Sequence, residues 1–175
     1  MNIEALLGAR EALTQAPQAA QFTWRANSEW ISGAHSRSEI NGFFGLGQEQ
    51  AHAKPHTIES DHPSLFGETD NAATPLEILL SALASCLTGG VASIAQNRGV
   101  KLNAVKVTVE GDMIMQGVLG IDADVRNGFN AIRVVFDIDA DASEDEIAGI
   151  VSQSQKRSAI YDIITNPGNV STTLK

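Results

Sequence analysis

The chain has 175 residues, the length of one ordinary domain, with 43% hydrophobic and 19% charged residues and a formal net charge of -9. That balance fits a globular core, and the negative charge without any Lys/Arg cluster argues against binding nucleic acid or anionic membranes. One cysteine rules out an internal disulfide and a Cys-rich metal site, and it fits a reducing compartment, so a cytoplasmic protein is expected.

MNIEALLGAREAL carries Glu4 and Glu11 and reads as an amphipathic helix, with Ile3, Leu6 and Leu7 as its apolar side, rather than as a signal peptide. The helix, placed in 1–16, should stop before Pro17, because proline disfavours a helical residue ahead of it. QFTWRANSEWISG alternates through Phe22, Trp24 and Trp30, and HSRSEINGFFGLG offers Ile40, Phe43 and Phe44 beside turn glycines. Together they predict an antiparallel β-meander over 21–58. KPHTIESDHPSLFGETDNAA ends that meander and becomes a long loop, since Pro63, Gly67, Asp70 and Asn71 are turn formers.

A central helix is predicted over 74–98, with Thr74 as N-cap, Pro75 in the first helical position and Glu77 completing a capping box; Gly99 is its stop. Nearly every face is apolar or small, so protein should surround it on most sides. The uncharged run from Ile78 to Asn97 is also long enough to cross a bilayer. Ser81, Ser85, Thr88, Ser93, Gln96 and Asn97 dilute it, no basic flank accompanies it, and a buried helix without a membrane span is the expectation.

Beyond Gly99, VKLNAVKVTVEGDMIM and AIRVVFDIDA alternate at period two and predict long strands within 100–139. SEDEIAGIVSQSQK follows as a helix capped by Ser143, with acidic residues where the helix dipole favours them. RSAIYDII reads as a short helical or turn-like piece, Asn166-Pro167-Gly168 as a turn and VSTTL as a closing strand, completing 143–175. The chain contains no internal repeat and reads as a single domain over 1–175.

Cys86 stands three helical turns past Pro75, beyond the first turn where a helix dipole acts, so the helix end cannot activate its thiol. Glu77 comes nine residues earlier, on the opposite face and roughly 13 Å away along the axis. If Glu77 takes part in the chemistry of the cysteine, it does so from a second copy across a two-fold axis. Gly89 and Gly90 cost about 1 kcal/mol each relative to alanine inside a helix. They point to close approach by another backbone or a ligand, or to helix packing alone. His56, His62 and Asp61 lack the spacing of metal ligands, and neither metal nor cofactor is expected.

TPLEILLSALASCL resembles the central-helix motif of the OsmC/Ohr family, organic hydroperoxide reductases and related thiol proteins. WRANSEWISGAHSRSEI, LFGETDNAATPLEILLSALASCL, VEGDMIMQGVLGI and RSAIYDIITNPGNV resemble further segments of an OsmC-like branch, in the family's order. The resemblance implies an α+β fold in which an antiparallel sheet wraps a long buried central helix and two chains intertwine as a homodimer. It implies Cys86 as peroxidatic nucleophile and Glu77 as the assisting carboxylate. Arg37, beside His35 in an HxRS-like stretch, is favoured as the assisting arginine, with Arg25 as the alternative.

The need for a cation is physical, because a free thiol with a pKa near 8.5 is only a few per cent thiolate at pH 7. Leu79, Leu83, Phe43, Phe44 and Phe66 are candidates for an apolar pocket around an alkyl hydroperoxide. Ser158 stands where the family's reductases carry a second, resolving cysteine, so the resemblance implies an external thiol reductant or the loss of peroxidase turnover. The alternative function is a non-catalytic dimer that binds a small apolar or thiol-reactive ligand, and a third is a purely structural, stress-associated dimer.

Overall fold

A computed structural model describes residues 2–174. The chain divides into two compact units, residues 2–78 and residues 79 onward.

The first unit begins with α1 (Ile3–Gln15), whose N-cap Asn2 accepts the Ala5 N–H at 3.0 Å. The helix ends ahead of Pro17, as expected, and a 3-10 turn follows over Pro17–Ala20. Its apolar side, however, stays open, with Leu6 and Leu7 both exposed.

The meander comprises β1 (Thr23–Trp24), β2 (Asn27–Ser32), β3 (His35–Gly45) and β4 (Gln48–Ser60), all antiparallel. Strand β3 is the middle row: β1 and β2 pair with it in succession and β4 pairs with it separately. Leu46 and Gly47, with φ of 54° and 78°, form the two-residue loop between β3 and β4. Two left-handed residues in such a loop match the twist of the strands they join. The ladder slips between Ile40 and Gly42, opposite a stretch of β4 that contains Pro55, a residue with no N–H to donate.

After a 3-10 turn at Ser64–Phe66 the chain enters α2 (Pro75–Asn97), whose first residues close the first unit and whose remainder opens the second. Gly99 (φ 73°) ends α2 in a left-handed cap: its N–H donates to Gln96 O at 3.1 Å, and the Val100 N–H reaches back to Ala95 O at 2.9 Å.

In the second unit β5 (Leu102–Asp112) and β6 (Ala131–Ala140) form an antiparallel pair, with α3 (Met115–Val118) in the connection. Helices α4 (Glu144–Arg157) and α5 (Ala159–Thr165) follow. Ser143 caps α4 in a complete capping box with Glu146. Val91, Ile94 and Ala95 of α2 are buried with Ile150 of α4, against Leu102, Val105, Phe136 and Ile138 of the strand pair. By length and composition α2 could cross a bilayer, with a mean hydropathy of 1.9, yet this packing makes its second half the core helix of the unit.

The closing strand expected at VSTTL does not form: residues 170–174 have no ladder partner among the described residues, and Val170 and Leu174 are almost wholly exposed. A strand outside a ladder has no hydrogen bonds to hold it extended, and alternation in the sequence cannot supply them.

Candidate active site

Cys86 is a free, partly exposed thiol on α2. Its neighbourhood within the second unit is built by the corner between α4 and α5. Ser158 sits at that corner: its N–H donates to Gln155 O at 3.2 Å to close α4, and its Oγ accepts the Tyr161 N–H at 3.1 Å to open α5. The same hydroxyl donates to Cys86 Sγ at 3.1 Å, and Ser158 is only 4% exposed.

One turn earlier Ser154 donates to the Leu87 carbonyl at 2.9 Å, and its side chain lies where a Cβ on Gly90 would be. The approach implied by the glycine pair is therefore real at Gly90, where α4 supplies it; a Cβ on Gly89 would meet no described atom within 4 Å beyond its own stretch of helix.

Glu77 belongs to the first unit. It completes the predicted capping box: its Oε2 accepts from Thr74 N and Thr74 Oγ1, both at 2.8 Å, and its own N–H donates to Thr74 Oγ1 at 3.2 Å. The backbone N–H of Thr74 first, and then the hydroxyl, holds the carboxyl below its usual range.

Arg37 lies in β3 of the same unit, opposite Glu59 in β4. Its guanidinium meets Glu59 Oε1 at 2.7 Å, while His35 Nε2 reaches Glu59 Oε2 at 3.0 Å. The Arg37 bond, followed by that of His35, lowers the pKa of Glu59. Arg25, the alternative, makes a two-pronged pair with Glu49 at 2.6 and 2.9 Å. Both candidate arginines are thus engaged by glutamates on the meander.

Of the residues proposed around an alkyl chain, Leu83 is buried in the chain's own core, whereas Leu79 and Phe66 are open. Phe43 stands in a row of rings with Phe22, Trp24 and His52. Asp61, fully buried, accepts from the N–H groups of His62 (2.8 Å) and Asn71 (2.9 Å) and from Thr69 Oγ1 (3.1 Å), so it pins the loop ahead of α2.

Sequence reasoning missed two features. One is the bond from Ser158 to sulfur, which follows from its role as N-cap of α5. The other is a hollow of about 340 Å³ in the first unit, where Ser36, Ser38 and Ile40 of β3 face Ser60, Pro75 and Ile78. Strand alternation turns Arg37 to the face opposite that hollow. The only hint of it was the small-residue spacing Ser28, Ser36, Ser38.

The family model described as OsmC-like protein matches residues 67–173. An OsmC-like protein from Mycoplasma pneumoniae is similar in structure, with a TM-score of 0.64 at 17% identity, over 83% of this chain and 89% of that one. An organic hydroperoxide resistance protein OsmC from Legionella pneumophila matches with a TM-score of 0.55 at 16% identity, over 84% and 92% of the two chains. A third, an organic hydroperoxide resistance protein from Elizabethkingia anophelis, gives 0.55 at 11% identity, over 85% and 91%. No curated protein sequence matches the chain. The structural likeness carries the α+β fold, and the family match extends over more than half of the sequence, so the chain belongs to the OsmC-like protein family.

Proposed function

We propose that the protein is a thiol-dependent peroxidase that reduces organic hydroperoxides through Cys86, with an external thiol as reductant, in the response to oxidative or osmotic stress. The observation that carries this reading is the position of the chain's one cysteine, a free and partly exposed thiol on the long helix of an OsmC-like fold. Structural relatives described as organic hydroperoxide resistance proteins support the substrate class. The cytoplasm suits a protein that must keep this thiol reduced.

In this reading the Cys86 thiolate attacks one oxygen of the O–O bond. That oxygen stays on sulfur as a sulfenic acid, and the other leaves with the alkyl group and takes a proton to become the alcohol. A small monothiol then attacks the sulfenic sulfur, water leaves, and a mixed disulfide forms. A second monothiol releases Cys86 as thiol, together with a small-molecule disulfide. The chain has no second cysteine to take this role.

The working form is a homodimer in which Glu77 and Arg37 of one copy serve Cys86 of the other. Two observations support it. Glu77 and Cys86 are nine residues apart on one helix, hence on opposite faces. In addition, α2 leaves Ser81, Ser85 and Gly89, spaced four residues apart on one face, exposed within the chain, and their small side chains leave room for close helix approach.

The test is intact-mass analysis of Cys86 after stoichiometric cumene hydroperoxide, alongside peroxide consumption with monothiol and dithiol reductants. Gain of one oxygen at Cys86 and turnover with a monothiol are expected. A thiol that stays inert at neutral pH overturns the peroxidase and favours the non-catalytic ligand-binding dimer. Replacing Arg37 with alanine should slow oxidation, and an unchanged rate moves the role to Arg25. Sedimentation of a stable folded monomer would contradict the dimer.

A further inference from the structure

The hydroxyl of Ser158 has a constrained proton. A serine oxygen offers one O–H and two acceptor lone pairs. Tyr161 N–H occupies the acceptor side at 3.1 Å as the capping bond of α5, and Cys86 Sγ lies 3.1 Å from the same oxygen. Its own backbone N–H is used by Gln155 O, so the residue is held from both helices. At 4% exposure, water competes little for the remaining proton.

We propose that Ser158 is a positioning residue for Cys86: its O–H, aimed by the capping bond, donates to the sulfur and favours the thiolate over the thiol. A thiol sulfur is a weak acceptor and a thiolate a strong one, so a fixed donor stabilises the charged form more. A resolving cysteine could not make this contribution in the same way, because its S–H is a weak donor. The single-cysteine cycle and the serine therefore belong together: the position that cannot form a disulfide instead helps to prepare the nucleophile. This inference rests on the peroxidase reading for its purpose, though its geometry does not require a peroxide. The opposite arrangement, with the Cys86 S–H donating to Ser158, would leave a buried hydroxyl proton unused and would favour the neutral thiol.

The two arrangements predict opposite signs. In the full-length protein, the rate of Cys86 alkylation by iodoacetamide is followed against pH for the wild type, Ser158→Ala, Ser158→Gly and Ser158→Thr, with thiolate absorbance as a second readout. Ser158→Ala and Ser158→Gly are expected to react about tenfold more slowly at neutral pH and equally fast on the alkaline plateau. Threonine keeps both the cap and the donor and restores the wild-type profile.

Glycine is a tolerable N-cap, so that variant separates the missing donor from a weakened helix start. Alanine and glycine variants that react at the wild-type rate, or faster, overturn the proposal. A parallel challenge with cumene hydroperoxide separates the two readings. Unoxidised Cys86 with the alkylation difference intact supports Ser158 and removes the peroxidase, whereas oxidation without that difference overturns Ser158 and leaves the peroxidase standing.

Discussion

Ser154 of α4 lies against Gly90 of α2 so closely that its Oγ occupies the place of a side chain at position 90. The contact is fixed by the bond from that Oγ to the Leu87 carbonyl at 2.9 Å, and Ser154 is almost wholly buried. Gly90→Ala should therefore force α4 away from α2 and destabilise the fold by about 1–3 kcal/mol, the usual range for overpacking. Urea denaturation checks this, and adding Ser154→Gly to the same chain should recover part of the loss. Gly89→Ala separates the two glycines: within one copy a Cβ there would meet no described atom within 4 Å beyond its own stretch of helix, so any loss of stability it brings reads out the proposed contact between copies at Gly89.

Leu46 is a poor residue for its place. With φ of 54° it takes the left-handed conformation ahead of Gly47 in the loop between β3 and β4, a conformation that costs roughly 1–2 kcal/mol for most side chains. Its side chain is exposed, so little packing offsets the cost. Leu46→Asn should raise stability by about 1 kcal/mol, because Asn-Gly is the favoured pair for such a turn. Thermal melting reads the gain, and an unchanged or lower midpoint would mean that the loop is not the two-residue turn described.

Much of this architecture was legible in the sequence because it is local. Thr74, Pro75 and Glu77 announce the start of α2 through chemistry confined to one helical turn, and Gly99 announces its end. Ser143 and Glu146 do the same for α4. The alternation of Val105, Val107 and Val109 fixes which face of β5 turns inward. What stayed hidden depends on long-range pairing. VSTTL has strand-like alternation and no ladder partner among the described residues; Glu59 captures Arg37 only because β3 and β4 pair in that register. Ser158 was legible as a missing cysteine, but its bond to sulfur depends on how the corner between α4 and α5 sits over α2.

Stability should decline in acid through Asp61. Hydrogen bonds from Asn71 first, and then from His62 and Thr69, hold its carboxyl below the ordinary value of 3.8. The folded state therefore binds the proton less readily than the unfolded chain. The stabilisation is fully present above the ordinary carboxylate range, and it is lost as pH falls through the depressed folded value. Glu77 and Glu146, lowered by their own capping bonds, act in the same direction. Unfolding followed by fluorescence at a series of pH values should give a flat neutral region and an acid decline, and Asp61→Asn should lower the neutral plateau and make the decline shallower.

Ser158→Cys places a thiol where a hydroxyl now stands 3.1 Å from Cys86 Sγ. Disulfides need their two Cα atoms within about 4.4–6.8 Å and side chains that point toward each other, and the existing bond shows that these side chains converge. If peroxide converts Cys86 to the sulfenic acid, as the proposed function requires, the new thiol should attack that sulfur, expel water and close an intramolecular disulfide. Intact mass would then show the loss of two hydrogens instead of the gain of one oxygen, and efficient reduction would shift from monothiols to dithiols. The variant should also be less stable in the reduced state by about 1 kcal/mol, since a thiol caps a helix less well than a hydroxyl. Persistence of the sulfenic acid in the folded variant would mean that the corner between α4 and α5 does not hold position 158 against the sulfur in solution, and the positioning role of Ser158 would fall with it.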